Sequence, residues 1–132
     1  MPWAIAYLED LDAVQTDYEG LIPPDDLVQA ARETLLVADA RRTDRLLGDC
    51  TKLEGGHTVV DLYGLARLVE EIFKGRTIHE ALVMPELKAA AHEVSFWETT
   101  CRNRGLDVRV FRTREDAKAW LTRIRAPEPA SA

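Results

Sequence analysis

Two hydrophobic periods run through this chain, one of two residues and one near 3.6. Trp3 to Leu8 is a short apolar stretch. In Ala13 to Glu19, Val14, Thr16 and Tyr18 alternate with Gln15, Asp17 and Glu19, the pattern of a half-buried strand. The turn-like Glu9-Asp10-Leu11-Asp12 between them predicts an antiparallel hairpin, closed at Gly20. Pro23-Pro24-Asp25-Asp26 then has the chemistry of a helix start: proline fits the first turn, and the carboxylates complement its positive end. Leu27, Ala31, Leu35 and Ala38 recur at helical spacing and are expected to face the sheet.

The alternation repeats downstream. Asp44 to Cys50 is predicted as the third strand, and Lys52 to His57 as a loop carrying Gly55-Gly56. Thr58 and Asp61 have the spacing of a reciprocal helix cap, opening a second helix with the stripe Leu62, Leu65, Val69, Ile72 and Phe73 and a stop at Gly75. Thr77 to Met84 is the fourth strand. Pro85 opens a third helix, with Leu87, Ala90, Val94, Trp97 and Cys101 on one face and Gly105 as its left-handed cap. Leu106 to Phe111 forms the fifth strand, and Thr113 with Asp116 caps a last helix bearing Ala117, Trp120, Leu121 and Ile124.

The predicted order is ββαβαβαβα: an α/β fold with a single five-stranded, mixed but mostly parallel sheet and four helices. Residues 1–124 make one domain, and the proline-containing residues 125–132 are expected to form a flexible tail. With 132 residues, 46% hydrophobic and 30% charged, the composition is that of a globular chain. No apolar run approaches the ~20 residues that span a bilayer, and no secretory signal is visible, so a cytoplasmic protein without stable membrane insertion is expected. A net charge of −6 argues against nucleic acid as a partner. Cys50 and Cys101 read as reduced thiols. Charge is also uneven: residues 102–132 hold eight Lys/Arg against four Asp/Glu, and the rest hold nine against nineteen. Such polarity suits a partner or a homodimer, although solvated surface accounts for it equally well.

Three segments carry a family resemblance. They are Gly20-Leu21-Ile22-Pro23 after the hairpin, Leu46-Leu47-Gly48-Asp49-Cys50, and the ending Val108-Arg109-Val110-Phe111 followed by Glu115-Asp116-Ala117-Lys118-Ala119-Trp120-Leu121. With the element order, they make residues 3–124 similar to SpoIIAA-like proteins, which group with the STAS (sulfate transporter and anti-sigma-factor antagonist) domains and the SEC14-like lipid-binding proteins. The resemblance implies strand order 1-3-2-4-5, with the second strand central. A switch-point crevice would then lie near Gly20–Asp26 and Met84–Leu87, with Lys52–Thr58 alongside. A central strand is normally apolar on both faces, so Gln15, Asp17 and Glu19 imply a thinly covered face or another chain against it.

Two kinds of site follow. In anti-sigma antagonists a serine at the start of the second helix accepts a phosphate, and the nearest equivalents here are Asp49 and Thr58. Helix-start N–H groups and Gly55-Gly56 beside His57 could surround a phosphate, but the Asp-Ser-Ser-Gly type of run is absent and Thr58 also reads simply as a cap. The second candidate is an apolar pocket lined by Phe73, Met84, Trp97, Phe111 and Trp120, a set that also suits plain core. Arg114, Lys118 and Arg123 could hold an anionic headgroup beside it or form a solvated face. Cys50 with His57 and Asp49 could suggest thiol chemistry, but sequence proximity secures none of the required geometry. His57, His79 and His92 show no metal-ligand spacing, and no phosphate-binding loop follows Gly55-Gly56, so no metal or cofactor is assigned. The leading expectation is a non-catalytic regulatory module acting through protein contacts at Asp49–Thr58 and Gly20–Asp26. The alternative is a carrier or sensor of a small apolar or lipid-like molecule.

Overall fold

The computed structural model describes residues 2–74 and 76–124. Its elements are β1 (Trp3–Leu8), β2 (Ala13–Leu21), α1 (Pro24–Arg41), β3 (Arg45–Gly55), α2 (Val59–Ile72), β4 (His79–Val83), α3 (Lys88–Asn103), β5 (Asp107–Phe111) and α4 (Arg114–Arg123). The predicted ββαβαβαβα order and mixed five-stranded sheet are those observed, with β1 antiparallel to β2 and every later pair parallel. The expected tail, 125–132, and the glycine stop at Gly75 lie outside the described residues.

Strand order corrects the family-based expectation. The strands run β1-β2-β3-β4-β5, so β3 and not β2 is central. Each crossover steps to the neighbouring strand in the same direction, which puts α1, α2 and α3 on one face and removes the switch point expected near Gly20–Asp26 and Met84–Leu87. α4 packs alone on the other face, against β3, β4 and β5. The polar alternation in β2 now has its cause. Val14, Thr16 and Tyr18 face the three-helix side, while Asp17 lies exposed beyond the reach of α4. Gln15, one register closer to α4, is buried and bonded to Arg114. β3, buried at Leu46, Leu47 and Gly48 in succession, has the two-sided apolar character of a middle strand.

Several boundaries also differ. β3 runs on to Gly55, taking in most of the predicted Lys52–His57 loop, because β2 continues past register shifts to pair Leu21 with Gly55. α3 starts at Lys88 and not at Pro85, because the Glu86 N–H bonds to the Thr51 carbonyl and holds the intervening residues against β3. Gly105 does take the left-handed conformation expected of it (φ +81°). Among the described residues no helix is long and apolar enough to cross a membrane.

The core has two parts, one on each side of the sheet. Under α4, Ala117, Trp120 and Leu121 pack on Leu47, Ala81 and Val83. On the other side α1 is seated on β1 and β2, partly through the buried hydroxyl pair Thr16–Thr34 at 2.7 Å. α3 is seated on β3 and β5. α2 is different: its backbone lies closest to α3 and then α1, and it joins the strands only through its side chains, among them Leu65, Ala66 and Val69.

Candidate ligand cavity

The space left beneath α2 is an apolar cavity of about 90 Å³ between the sheet and α1–α3. Leu62, Leu65, Val69 and Phe73 form its roof, a stripe the helical period dictates. Its floor is Leu46, Cys50 and Leu53 of β3, Leu82 of β4 and Val108 of β5, and Val94, Trp97 and Cys101 of α3 close one side. Five polar side chains front it as well: Tyr18, Thr34, His57, Glu80 and Glu93.

Alternation within β4 puts Glu80 on the same face as Leu82, so a carboxyl is carried into an apolar space. The Trp97 indole N–H donates to it at 3.0 Å. Burial raises its pKa above the ordinary carboxylate range, and the indole bond only partly opposes that rise. Burial, and then the nearby Glu80, likewise hold the Tyr18 hydroxyl well above its ordinary value. Glu80 and Tyr18 are enclosed by protein yet keep some accessible surface, because both front the cavity.

His57 is set by the glycines before it. Gly55 (φ +107°) admits the Glu93 carboxylate so closely that a Cβ there would lie 2.2 Å from Oε2. At Gly56 (φ +114°) a Cβ would meet the Ile22 carbonyl at 2.8 Å. The chain thus turns tightly enough for one oxygen, Glu93 Oε1, to accept the His57 backbone N–H at 2.7 Å and to face Nδ1 at 3.2 Å. The His57 side chain is 3% exposed, and its Nε2 has no hydrogen-bond partner among the described residues. A buried orphan of this kind is rare in a native fold.

The structure separates the residues proposed from sequence for a single edge. Asp49 points to the α4 side, where Thr51 N and Oγ1 donate to it at 3.0 and 2.7 Å and Arg114 at 3.0 Å. Burial alone would raise its pKa; the bonds from Thr51 and the guanidinium outweigh that and lower it. Of the other four, only His57 lines the cavity, with Gly55 and Gly56 before it and Thr58 after it in the chain. Thr58 closes a full capping box: its backbone N–H donates to Asp61 at 2.8 Å and its hydroxyl accepts the Asp61 N–H at 3.1 Å. With the N–H groups of His57, Thr58 and Asp61 taken, two carboxylates occupy the place a phosphate would need.

The predicted aromatic pocket is likewise divided by the sheet. Phe73 and Trp97 line the cavity, whereas Phe111 and Trp120 pack on each other beneath α4 with centroids 5.6 Å apart. Met84 packs at the edge of the three-helix side without lining the cavity. This division is a correction to the sequence expectation, and its cause is strand parity: Phe111 and Val110 point to opposite faces. Of the Arg-rich set on α4, Arg114 ties down Asp49 and Gln15. Cys50 and Cys101 both reach the cavity, and burial, then Glu80, pushes each thiol far above its ordinary pKa. His79 pairs with Asp107 at 2.6 Å, and His92 is exposed. Among the described residues no three of His, Cys, Asp and Glu converge to hold a metal ion. Sequence reasoning missed Glu80 and Tyr18; a lone acid at the centre of the short apolar fourth strand was the available signal.

A solved structure of an uncharacterized protein of the DUF3478 family with a SpoIIAA-like fold, from Shewanella loihica PV-4, superimposes on this chain with a TM-score of 0.59. The match covers 90% of this chain and 93% of that one, at 19% identity. The fold is SpoIIAA-like. No protein-family model and no curated protein matches the chain. The SpoIIAA-like resemblance drawn from the carboxy-terminal strand and helix therefore stands at the level of fold.

Proposed function

We propose that this SpoIIAA-like chain is a non-catalytic binder of a small, largely apolar molecule held between the sheet and α1–α3. The observation that carries the reading is the mostly apolar cavity beneath α2, lined by His57, whose buried Nε2 has no partner among the described residues. Dry apolar voids are costly, and packing normally removes them. A cavity of about 150 Å³ is enough to take benzene. The present one, near 90 Å³, admits a ligand that size only if the roof shifts. α2 is the helix least tied to the strands, so it is the element that can yield.

The test is native mass spectrometry of protein purified from its own host, paired with an NMR titration against 1-hexanol. A retained small apolar molecule, or 1-hexanol shifts confined to α2 and the Trp97 indole, is expected. Bare protein in every preparation and no shift with the alcohol would overturn the reading.

A second reading, recognition of a protein partner at the same edge, is favoured by one observation. Leu21, Val59, Val60 and Leu87 are each at least half exposed (67%, 60%, 79% and 51%), and all lie where strands end and helices begin. If that rim binds a protein, Val60→Asp abolishes partner recovery while leaving the 1-hexanol shifts in place.

A further inference from the structure

The polar atoms around the cavity select among apolar ligands by their head group. Glu93 Oε1 lies 3.2 Å from His57 Nδ1, so the tautomer that sets a donor against this acceptor is Nδ1–H, and in that tautomer Nε2 presents a lone pair. That lone pair is buried and unpartnered. The acidic lining groups are Glu80 and Glu93, and no Lys or Arg lines the space. A ligand carboxylate or phosphate entering here would lose its water, meet acceptors, and find no cation. A ligand O–H would satisfy the orphan, and so would the N–H of an alkylammonium, whose buried charge, unlike a carboxylate's, meets groups of opposite sign in the lining carboxyls. The apolar stripe from Leu62 to Phe73 runs the length of α2 and suits an unbranched body.

We infer, resting on the cavity reading above, that the ligand is a linear apolar alcohol or amine whose hydrogen-bond-donating head meets His57 Nε2 and whose body lies beneath α2, and that acids of the same length are discriminated against.

The experiment compares 1-hexanol, hexylamine and hexanoate by NMR titration of the full chain at neutral pH, repeated on His57→Phe, which keeps a ring of similar size. The alcohol and the amine are expected to bind about tenfold more tightly than hexanoate, the ratio that one unpaired buried polar group amounts to. In His57→Phe that preference is expected to fall to about twofold or less, with 1-hexanol still shifting α2 resonances. An unchanged Trp97 indole resonance shows that the variant is folded; if it is not, His57→Leu replaces it. Hexanoate binding as tightly as the alcohol, as an imidazolium at His57 would produce, overturns the head-group inference and leaves the cavity reading intact. A preference that survives in the variant overturns it as well. Failure of all three probes to bind removes the cavity reading itself.

Discussion

The Trp97 indole N–H donates to a carboxyl oxygen of Glu80 at 3.0 Å, tying α3 to β4 along the wall of the cavity. This is a hydrogen bond to a group that resists ionising where it stands. Burial lifts the native pKa of Glu80 above its unfolded value. The folded chain therefore keeps a proton over a window in which the unfolded chain has already lost it, and this group's contribution to stability is lost as pH rises through that window. Glu80→Gln retains an oxygen for the indole and cannot ionise. Urea unfolding measured from about pH 4 to about pH 8 is expected to show the variant gaining on the parent as pH rises. Parallel pH profiles for the two proteins would contradict this account of Glu80.

Cys50 and Cys101 are 4% and 0% exposed, and burial together with Glu80 disfavours both thiolates. Alkylation requires the thiolate and a path to it. Native protein is expected to resist iodoacetamide at neutral pH and to take up two labels once unfolded. Rapid native labelling at Cys50 would revive a thiol mechanism with His57 and displace the non-catalytic reading.

Thr58 caps the helix whose backbone stands farthest from the strands. Removal of such a cap costs about 1 kcal/mol. Because the α2 backbone lies close to α3 and α1 but farther from the strands, the loss in Thr58→Ala is expected to appear first as local opening. Amides of Leu62 to Val69 should exchange about fivefold faster, while those of β3 stay near their parent rates. Thr58→Asp, which keeps an acceptor at the cap, is expected to restore most of the protection. Equal acceleration in α2 and β3 would mean that α2 is bound into the global unfolding unit after all.

The fold was largely readable because it rests on local signals: a period of two in the strands, a period near 3.6 in the helices, and Thr58, Thr113 and Gly105 at their ends. Sheet order was also encoded, but in a contrast that the family expectation overrode. Leu46-Leu47-Gly48 is buried on both faces, while β2 turns polar beyond Gln15. The site was harder for a physical reason. Which aromatics share a space depends on strand parity, and one residue of difference separates Val110, on the three-helix side, from Phe111 beneath α4. Gly55-Gly56 was visible as a tight turn, but its use, bringing Glu93 of a helix far along the chain against His57, is a tertiary relationship with no local signature.

The cavity itself predicts opposite outcomes for similar substitutions on the two faces of the sheet. In a filled core added carbons, two in the case of Ala→Val, force neighbours off their rotamers and cost about 1–3 kcal/mol. Ala117, 0% exposed beneath α4 between strand residues and Trp120, is in such a place, and Ala117→Val is expected to destabilise by that amount. Val69 is also buried, but it lines the apolar cavity of about 90 Å³. Val69→Leu adds one methylene where there is room, which contributes up to about 0.8 kcal/mol of burial. The variant is expected to unfold at higher urea concentration than the parent and to bind 1-hexanol more weakly, since the added group takes up ligand space. Destabilisation by Val69→Leu comparable to that from Ala117→Val would show that the space beneath α2 is closed in solution, and the ligand reading would fall with it.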